Sequence, residues 1–320
     1  MSNHAYSLIG AHEVHTAEGP VRLVKVRNPW GQYEWKGAWS DSDWRWTADL
    51  KSQVGFTEAN DGTFYMSIED YKNEFRTSTV CKVRDDYHYA SIEIKNDGRQ
   101  HISRIHVPND SKVFLTVSQV ARRMMPKQYG YSPFMAKIMV GRLDGSNIEF
   151  IGGKHQKYRD DVVFEADLQA GDYFIFTEVD FDSSIPIDEY VLASYTAAPS
   201  SLERSHFDRF FEKALISCAQ KYGQRNDYAG EGRSDVYMCY GLQETDCGYG
   251  FVYYRNDSSD ATLVETVNFP VFKDMKLMPP YQGQQAQVTV PPGEERILVI
   301  KKLSPSCSYS IQRQYYFTQG

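Results

Sequence analysis

The stretch SNHAYSLIGAHEVHTAEGPVRLVKVRNPWG, from Ser2 to Gly31, carries two apolar runs, AYSLIGAHEV and VRLVKVRN, on either side of the turn-forming AEGP. Both runs alternate in the manner of half-buried strands, and the Gly-Pro pair breaks the pattern between them, so the stretch predicts a β-hairpin. His4 opens the first run and Asn28 closes the second. Pro29 ends the strand of Asn28 and turns that side chain toward the neighbouring strand. By itself a histidine and an asparagine on one hairpin are more often structural than chemical.

The surrounding residues change that balance. Downstream, DGTFYMSIEDYKNEF reads as a turn, a strand and a short helix, with Ser67 and Asp70 in the S-x-x-D spacing of a helix start. All five tryptophans lie between Trp30 and Trp46, enough aromatic surface to build a small core. A thiol becomes a strong nucleophile when an imidazole removes its proton and an amide holds that ring, so His4 and Asn28 are two of the three parts of a cysteine-protease centre. The string HAYSLIGAHEV, LVKVRNPWGQYEWKGAWSDSDWRW and DGTFYMSIEDYKNEF closely resembles the second half of the papain-like core of calpains, the calcium-dependent cytosolic cysteine endopeptidases. The resemblance runs from His4 to about Cys81, with HAYS, RNPWG, the WSD loop and the DG-x-F loop in the family's order.

That resemblance implies roles. His4 matches the general base, Asn28 the residue that orients it, and Trp30 the tryptophan that moves when calcium aligns the two halves of the core. Asp41, Asp43 and Asp61 fall in the two loops that hold calcium in this half, a hard cation suited to oxygen ligands. Thr63 stands where the family usually supplies a second acidic ligand in the DG-x-F loop. In papain-like enzymes the cysteine precedes the histidine on a separate half-domain, whereas here only three residues precede His4 and all five cysteines, Cys81, Cys218, Cys239, Cys247 and Cys307, lie downstream. The expectation is a chain that does not cleave peptides alone, its cysteine half lying upstream in a longer polypeptide or on a separate cysteine-bearing half-domain. The alternative is a non-catalytic calpain relative serving as an interaction scaffold among protein partners, in the cytoplasm and in contact with the cytoskeleton.

The rest of the chain divides by pattern. Residues 1–81 form the protease half. In residues 82–199, seven short alternating runs (YHYASIEI, SRIHVP, KVFLTVSQV, FMAKIMVGRL, DVVFEADL, GDYFIFTEVDF and EYVLASYTA) predict an antiparallel β-sandwich. This segment also resembles the calpain-type sandwich that follows the family's core. Residues 200–320 start with a helix of about twenty residues, placed by Phe207, Phe210, Phe211, Ala214, Leu215, Cys218 and Tyr222 at three- and four-residue steps. Ser200 with Glu203 reads as its capping box and Gly223 as its stop. A polar loop, GQRNDYAGEGRSD, and a second sandwich-like module follow, so the fold class is mainly β with some helix, α+β. FEADLQAGDYFIFTEV and AQVTVPPGEERILVIKK share a strand, an acidic small-residue turn and a strand, an internal echo of one hairpin.

Composition excludes several classes. Hydrophobic content of 41% with 24% charge is that of a globular protein, and 14% aromatics leans toward strands. A net charge of -7 without basic blocks argues against nucleic acid as a partner. No apolar run is long enough to span a membrane, and the N-terminus lacks a signal pattern, so the location expected is cytoplasmic. The cysteines form no C-x-x-C pair, and His12 and His15 lie on opposite sides of a strand, so neither set indicates a zinc site. Arg122, Arg123 and Lys127 form a basic surface segment, and Asp180, Asp182, Asp188 and Glu189 form an acidic group with the oxygen chemistry for calcium.

Overall fold

In the computed structural model, which describes residues 4–80, 83–97, 100–228, 230, 232–241 and 245–319, the expected hairpin is the first element. Strands β1 (Ser7–Thr16) and β2 (Gly19–Arg27) pair antiparallel, with Ser7 opposite Arg27 and Thr16 opposite Gly19. Gly19 supplies a φ of 121° at the turn. This register puts the residues just before β1 beside those just after β2, which brings His4 to Asn28. A short helix not foreseen from the pattern, α1 (Ala48–Val54), begins where Thr47 accepts a hydrogen bond from the Leu50 amide and ends at Gly55, with φ 63°. Strand β3 (Thr63–Ser67) adds to β2, and α2 (Ile68–Glu74) follows, capped by the Ser67 hydroxyl accepting from the Asp70 amide at 3.0 Å.

Alternation along these strands builds two small cores. Val14, Leu23 and Tyr65 face Trp39, Trp46, Leu50 and Val54. Val24, Val26, Phe64 and Met66 face Tyr6, Trp35 and Phe75. Of the five tryptophans, Trp39 and Trp46 are buried edge to face at 5.0 Å, while Trp30 and Trp44 are exposed. Residues 1–83 form one compact unit and residues 84–320 a second.

The second unit begins with β4 (His88–Lys95), β5 (His101–Val107), β6 (Ser111–Ser118), β7 (Ala136–Asp144), β8 (Asn147–Gln156), β9 (Asp161–Leu168), β10 (Gly171–Val179), β11 (Glu189–Thr196) and β12 (Leu202–Ser205). They form two antiparallel sheets, β12-β5-β10-β7-β8 and β4-β11-β6-β9. Ile105, Ile138, Val140 and Ile175 of the first pack on Leu115, Val117, Val162 and Leu192 of the second in one core. After α3 (Phe210–Tyr222) come β13 (Gln224–Tyr228), β14 (Arg233–Gly241), β15 (Tyr249–Asn256), β16 (Ala261–Lys273), β17 (Met275–Leu277), β18 (Gln285–Val290), β19 (Glu295–Lys302) and β20 (Ser308–Gln319). Their sheets are β13-β14-β15-β19-β17 and β18-β16-β20, closed over a core that includes Met238, Val252, Leu263, Val288 and Ile300. The architecture is mostly antiparallel β, with three α-helices among the described residues.

Four expectations are corrected. The helix is thirteen residues rather than about twenty, and Ser200 with Glu203 caps nothing. Residues 202–205 instead pair antiparallel with β5, where alternate residues exchange both their N–H and C=O groups with the neighbouring strand. Part of the polar loop after Gly223 is strand β13, paired to β14 from Gln224 opposite Tyr240. Strands β8 and β20 were not expected, the first because Gly152 and Gly153 interrupt its pattern. A Cβ at Gly153 would lie 2.2 Å from Cβ of Cys247, so close approach explains that glycine. Finally, the echoed segments are not hairpins: β9 and β10 lie in opposite sheets, as do β18 and β19.

The echo reaches further than one turn. In the first sandwich β5, β10 and β7 are neighbours in one sheet and β11, β6 and β9 in the other; in the second, β15, β19 and β17 are neighbours in one and β20, β16 and β18 in the other. Six strands recur in the same order. Between the two sandwiches lies α3, whose Phe210, Phe211, Leu215 and Cys218 share one core with Phe150, Phe174 and Phe176 on one side and Tyr249, Phe251 and Tyr253 on the other.

Candidate active site

Asn28 is completely buried and its amide is fully used. Nδ2 donates to the carbonyls of Gln32 at 2.7 Å and Tyr33 at 3.3 Å, and Oδ1 accepts from the Trp30 amide at 3.1 Å. The two carbonyl acceptors fix which end of the amide is oxygen. Oδ1 therefore faces His4 Nε2 at 2.9 Å as acceptor, and Nε2 carries the ring proton. Among the described residues Nδ1 has no hydrogen-bond partner, so its lone pair is available as a base. The Trp30 ring lies 4.3 Å from the His4 ring and Tyr6 stands edge-on at 4.7 Å, so the imidazole is held between aromatics. Beside it a cleft of about 750 Å³ is lined by Tyr6, Trp35, Phe64, Met66 and Phe75.

The backbone of Asn28 is tied as well. Its N–H donates to the Gly62 carbonyl at 2.8 Å, and the Gly62 N–H donates to Glu34 Oε1 at 2.8 Å. Gly62 has φ 85°, and a Cβ there would sit 2.7 Å from the Asn28 carbonyl oxygen. Any larger residue would push the Asn28 loop away.

The three aspartates expected at a cation site have different fates. Asp41 Oδ1 is buried without a hydrogen-bond partner. Burial first, then the negative charge of Glu34, with Asp61 and Glu58 behind it, pushes the Asp41 carboxyl up to about 6. Asp43 is occupied internally: it accepts from the amides of Trp39 and Arg45, both at 2.9 Å, and from the Arg45 guanidinium at 2.7 Å. Burial works against it, yet these donors hold its pKa low. Asp61 caps its own turn through the Thr63 amide at 2.8 Å, which lowers its pKa. Glu34, missed in the sequence, belongs with Asp41; its place three residues after Gly31, in a loop of aromatics, gave no spacing signal. The Asp41 and Glu34 carboxylates have the all-oxygen chemistry of a calcium ligand set. Among the described residues, however, no three His, Cys, Asp or Glu side chains converge to hold an ion.

Cys81 lies outside the described residues. Cys218, Cys239 and Cys247 are buried, and burial raises the pKa of Cys239 and Cys247, which keeps them as thiols. Cys307 packs against the core of the second sandwich. Two members of the acidic group of the sandwich, Asp180 and Asp188, face lysines, and a third, Asp182, is held by a serine. Asp180 binds Lys137 and Lys301, Asp182 accepts from Ser184, and Asp188 lies 3.4 Å from Lys95. Arg122, Arg123 and Lys127 are exposed beside a surface depression closed by Tyr131 and Asp160. No helix among the described residues is long and apolar enough to cross a membrane.

A family model described as calpain family cysteine protease matches residues 1–82. Calpain-9 of Rattus norvegicus is 37% identical over 89 residues, which cover 27% of this chain and 13% of that protein. Calpain-14 of Homo sapiens is 40% identical over 85 residues, covering 26% of this chain and 12% of the relative. The catalytic subunit of calpain-1 from Macaca fascicularis is 38% identical over 88 residues, 27% of this chain and 12% of the relative. The chain thus spans about an eighth of the length of the curated relatives it matches. Among solved structures, vicilin from Corylus avellana covers 72% of this chain and 74% of its own at 8% identity, with a TM-score of 0.23, too low to bear on the fold. Residues 1–82 are a calpain-like segment and correspond to part of that family's cysteine-protease core.

Proposed function

We propose that this chain is the imidazole-bearing half of a calpain-like, calcium-dependent cysteine endopeptidase, followed by a calpain-type β-sandwich and a second sandwich module. The observation that carries the proposal is the 2.9 Å hydrogen bond from His4 Nε2 to Asn28 Oδ1, which leaves Nδ1 as a base. His4 takes the proton of a cysteine thiol supplied by another polypeptide segment, in cis or as a separate half-domain. The thiolate adds to the scissile carbonyl of a protein substrate. The protonated His4 then gives its proton to the leaving amine, and a thioester remains. Water, deprotonated by His4, hydrolyses the thioester and returns the thiol. Asn28 keeps the Nε2 proton of the imidazole in place throughout, so that Nδ1 alone gives and takes the proton, and the Trp30 ring packs against His4 at 4.3 Å.

Calcium, when bound, neutralises the loop carboxylates. Asp41 and Glu34 would contribute oxygens to hold it; Asp43 would not, because Arg45 and two amides already use its oxygens. The experiment mixes the full chain with a separately expressed cysteine-bearing half of a calpain core, and follows a fluorogenic peptide with and without calcium. The expected result is no hydrolysis by the chain alone and calcium-dependent hydrolysis by the mixture. His4→Ala should lower that rate by at least about 1,000-fold. Hydrolysis by the chain alone, or by the mixture with His4→Ala unaffected, defeats the reading. Binding of the cysteine half without any hydrolysis favours the second reading, a non-catalytic interaction protein, for which the burial of Cys218, Cys239 and Cys247, three of the four described thiols, is the supporting observation.

A further inference from the structure

The repeated strand order makes one difference between the sandwiches visible. In the first, β11 is held on both sides, by β6 and by β4. Its counterpart in the second, β20, pairs among the described residues with β16 alone. The strand that precedes β15 in the chain, β14, joins β15 instead of covering β20. The consequence is seen in the side chains that point inward. Tyr190, Leu192, Ser194 and Thr196 of β11 are buried. Tyr309, Ile311, Arg313 and Phe317 of β20 are only half-buried, and Tyr315 is 40% exposed although its ring meets Tyr228 at 4.7 Å.

We infer that the open edge of β20 pairs antiparallel with β20 of a second copy of this chain, about a two-fold axis through Gln314. Natural edge strands are guarded by lysine, proline or an outward charge. From Ser308 to Gln319 this one has a single charged side chain, Arg313, and its guanidinium is turned inward onto Glu265 at 2.6 and 2.8 Å. A chain of net charge -7 repels its own copies generally, so an edge without outward charge is where two copies approach at least cost. The strand is also complementary to itself. Centred on Gln314, it sets Ile311 opposite Phe317 and Arg313 opposite Tyr315 on the inner face. On the outer face it sets Gln312 opposite Tyr316 and Ser310 opposite Thr318. Centred on Arg313, it would oppose two like charges, which destabilises a pair. The second copy thus takes the place that β4 takes beside β11, and the two three-stranded sheets become one continuous sheet.

The test is the mass of the full chain by sedimentation equilibrium from about 1 µM to about 1 mM, the range in which weak interfaces titrate. The native chain should rise with concentration from 36.8 kDa toward twice that value. Gln314→Lys and Gln314→Glu each place like charges opposite one another on an exposed face, so each should weaken the dimer at least about tenfold while leaving the melting temperature unchanged. An equimolar mixture of the two should dimerise again. A native chain that stays monomeric, a dimer indifferent to both substitutions, or a mixture that stays monomeric overturns the inference.

Discussion

Around Asn28 and between the two sandwiches the protein removes polar groups from water, and the two places are completed differently. At the first, the Asn28 amide is saturated, but the ring it holds keeps one nitrogen over. At the second, Lys137 is fully buried and contacts Asp180 and Glu178, the latter at 3.4 Å. Lys301 reaches Glu178 at 2.8 Å and Asp180 at 2.5 Å, and the Tyr249 hydroxyl donates to Glu178 at 2.5 Å. Burial pulls Lys137 down despite its partners, whereas for Lys301 the two carboxylates outweigh burial and raise it. Two cations and two anions use each other up. A network that closes on itself serves the fold, and one that leaves a valence open can serve chemistry.

The largest way to break this comparison is at the closed network. Lys137→Met leaves two half-buried carboxylates with one cation, and should cost about 3 to 5 kcal/mol in the denaturant-induced unfolding of residues 84–320. A loss below about 1 kcal/mol would mean that the quartet is solvated and not closed. Next comes Asn28→Ala, which removes a fully buried amide and its hydrogen bonds to two carbonyls and one N–H, and should cost about 1 to 3 kcal/mol in residues 1–83. His4→Ala, by contrast, should stay within about 0.5 kcal/mol, because the Trp30 amide still satisfies Oδ1. Equal losses at both positions would remove the distinction between holder and held.

The smallest effect concerns the acidic pair beside the site. Asp41 has an ordinary value of 3.8 and a folded-state value of about 6. Between these values the folded protein keeps a proton that the unfolded chain has released, so stability falls as pH rises through this window and levels off above it. Asp41→Asn should flatten that slope in the melting temperature of residues 1–83 and leave a slightly higher value at pH 7. A slope unchanged in the variant would place the repulsion elsewhere.

Much of this was legible in the sequence. The hairpin, the Ser67 cap and the pairing of His4 with Asn28 followed from alternation, a turn and a family pattern, all of them local signals. What was hidden depends on contacts distant in the chain. Strand β12 looks like a helix start because its role depends on the open edge of β5, about a hundred residues earlier. Gly153 looks like a break because nothing local reveals that Cys247 lies against it. Asp43 looks like a ligand until Arg45 folds back on it. Glu34 carried no motif of its own, and only the Gly62 amide shows why a carboxylate belongs there.

The placement of α3 also decides how this protein can be handled. Its apolar residues face a sheet on either side, so a chain cut near residue 199 would bare Phe150, Phe174 and Phe176 on one product and Phe210, Phe211 and Leu215 on the other. Either fragment expressed alone would present a sticky aromatic surface and tend to aggregate. A protease nick in the segment before the helix should instead leave the pieces bound together, and the smallest well-behaved fragment containing either sandwich is the pair of them with the helix between.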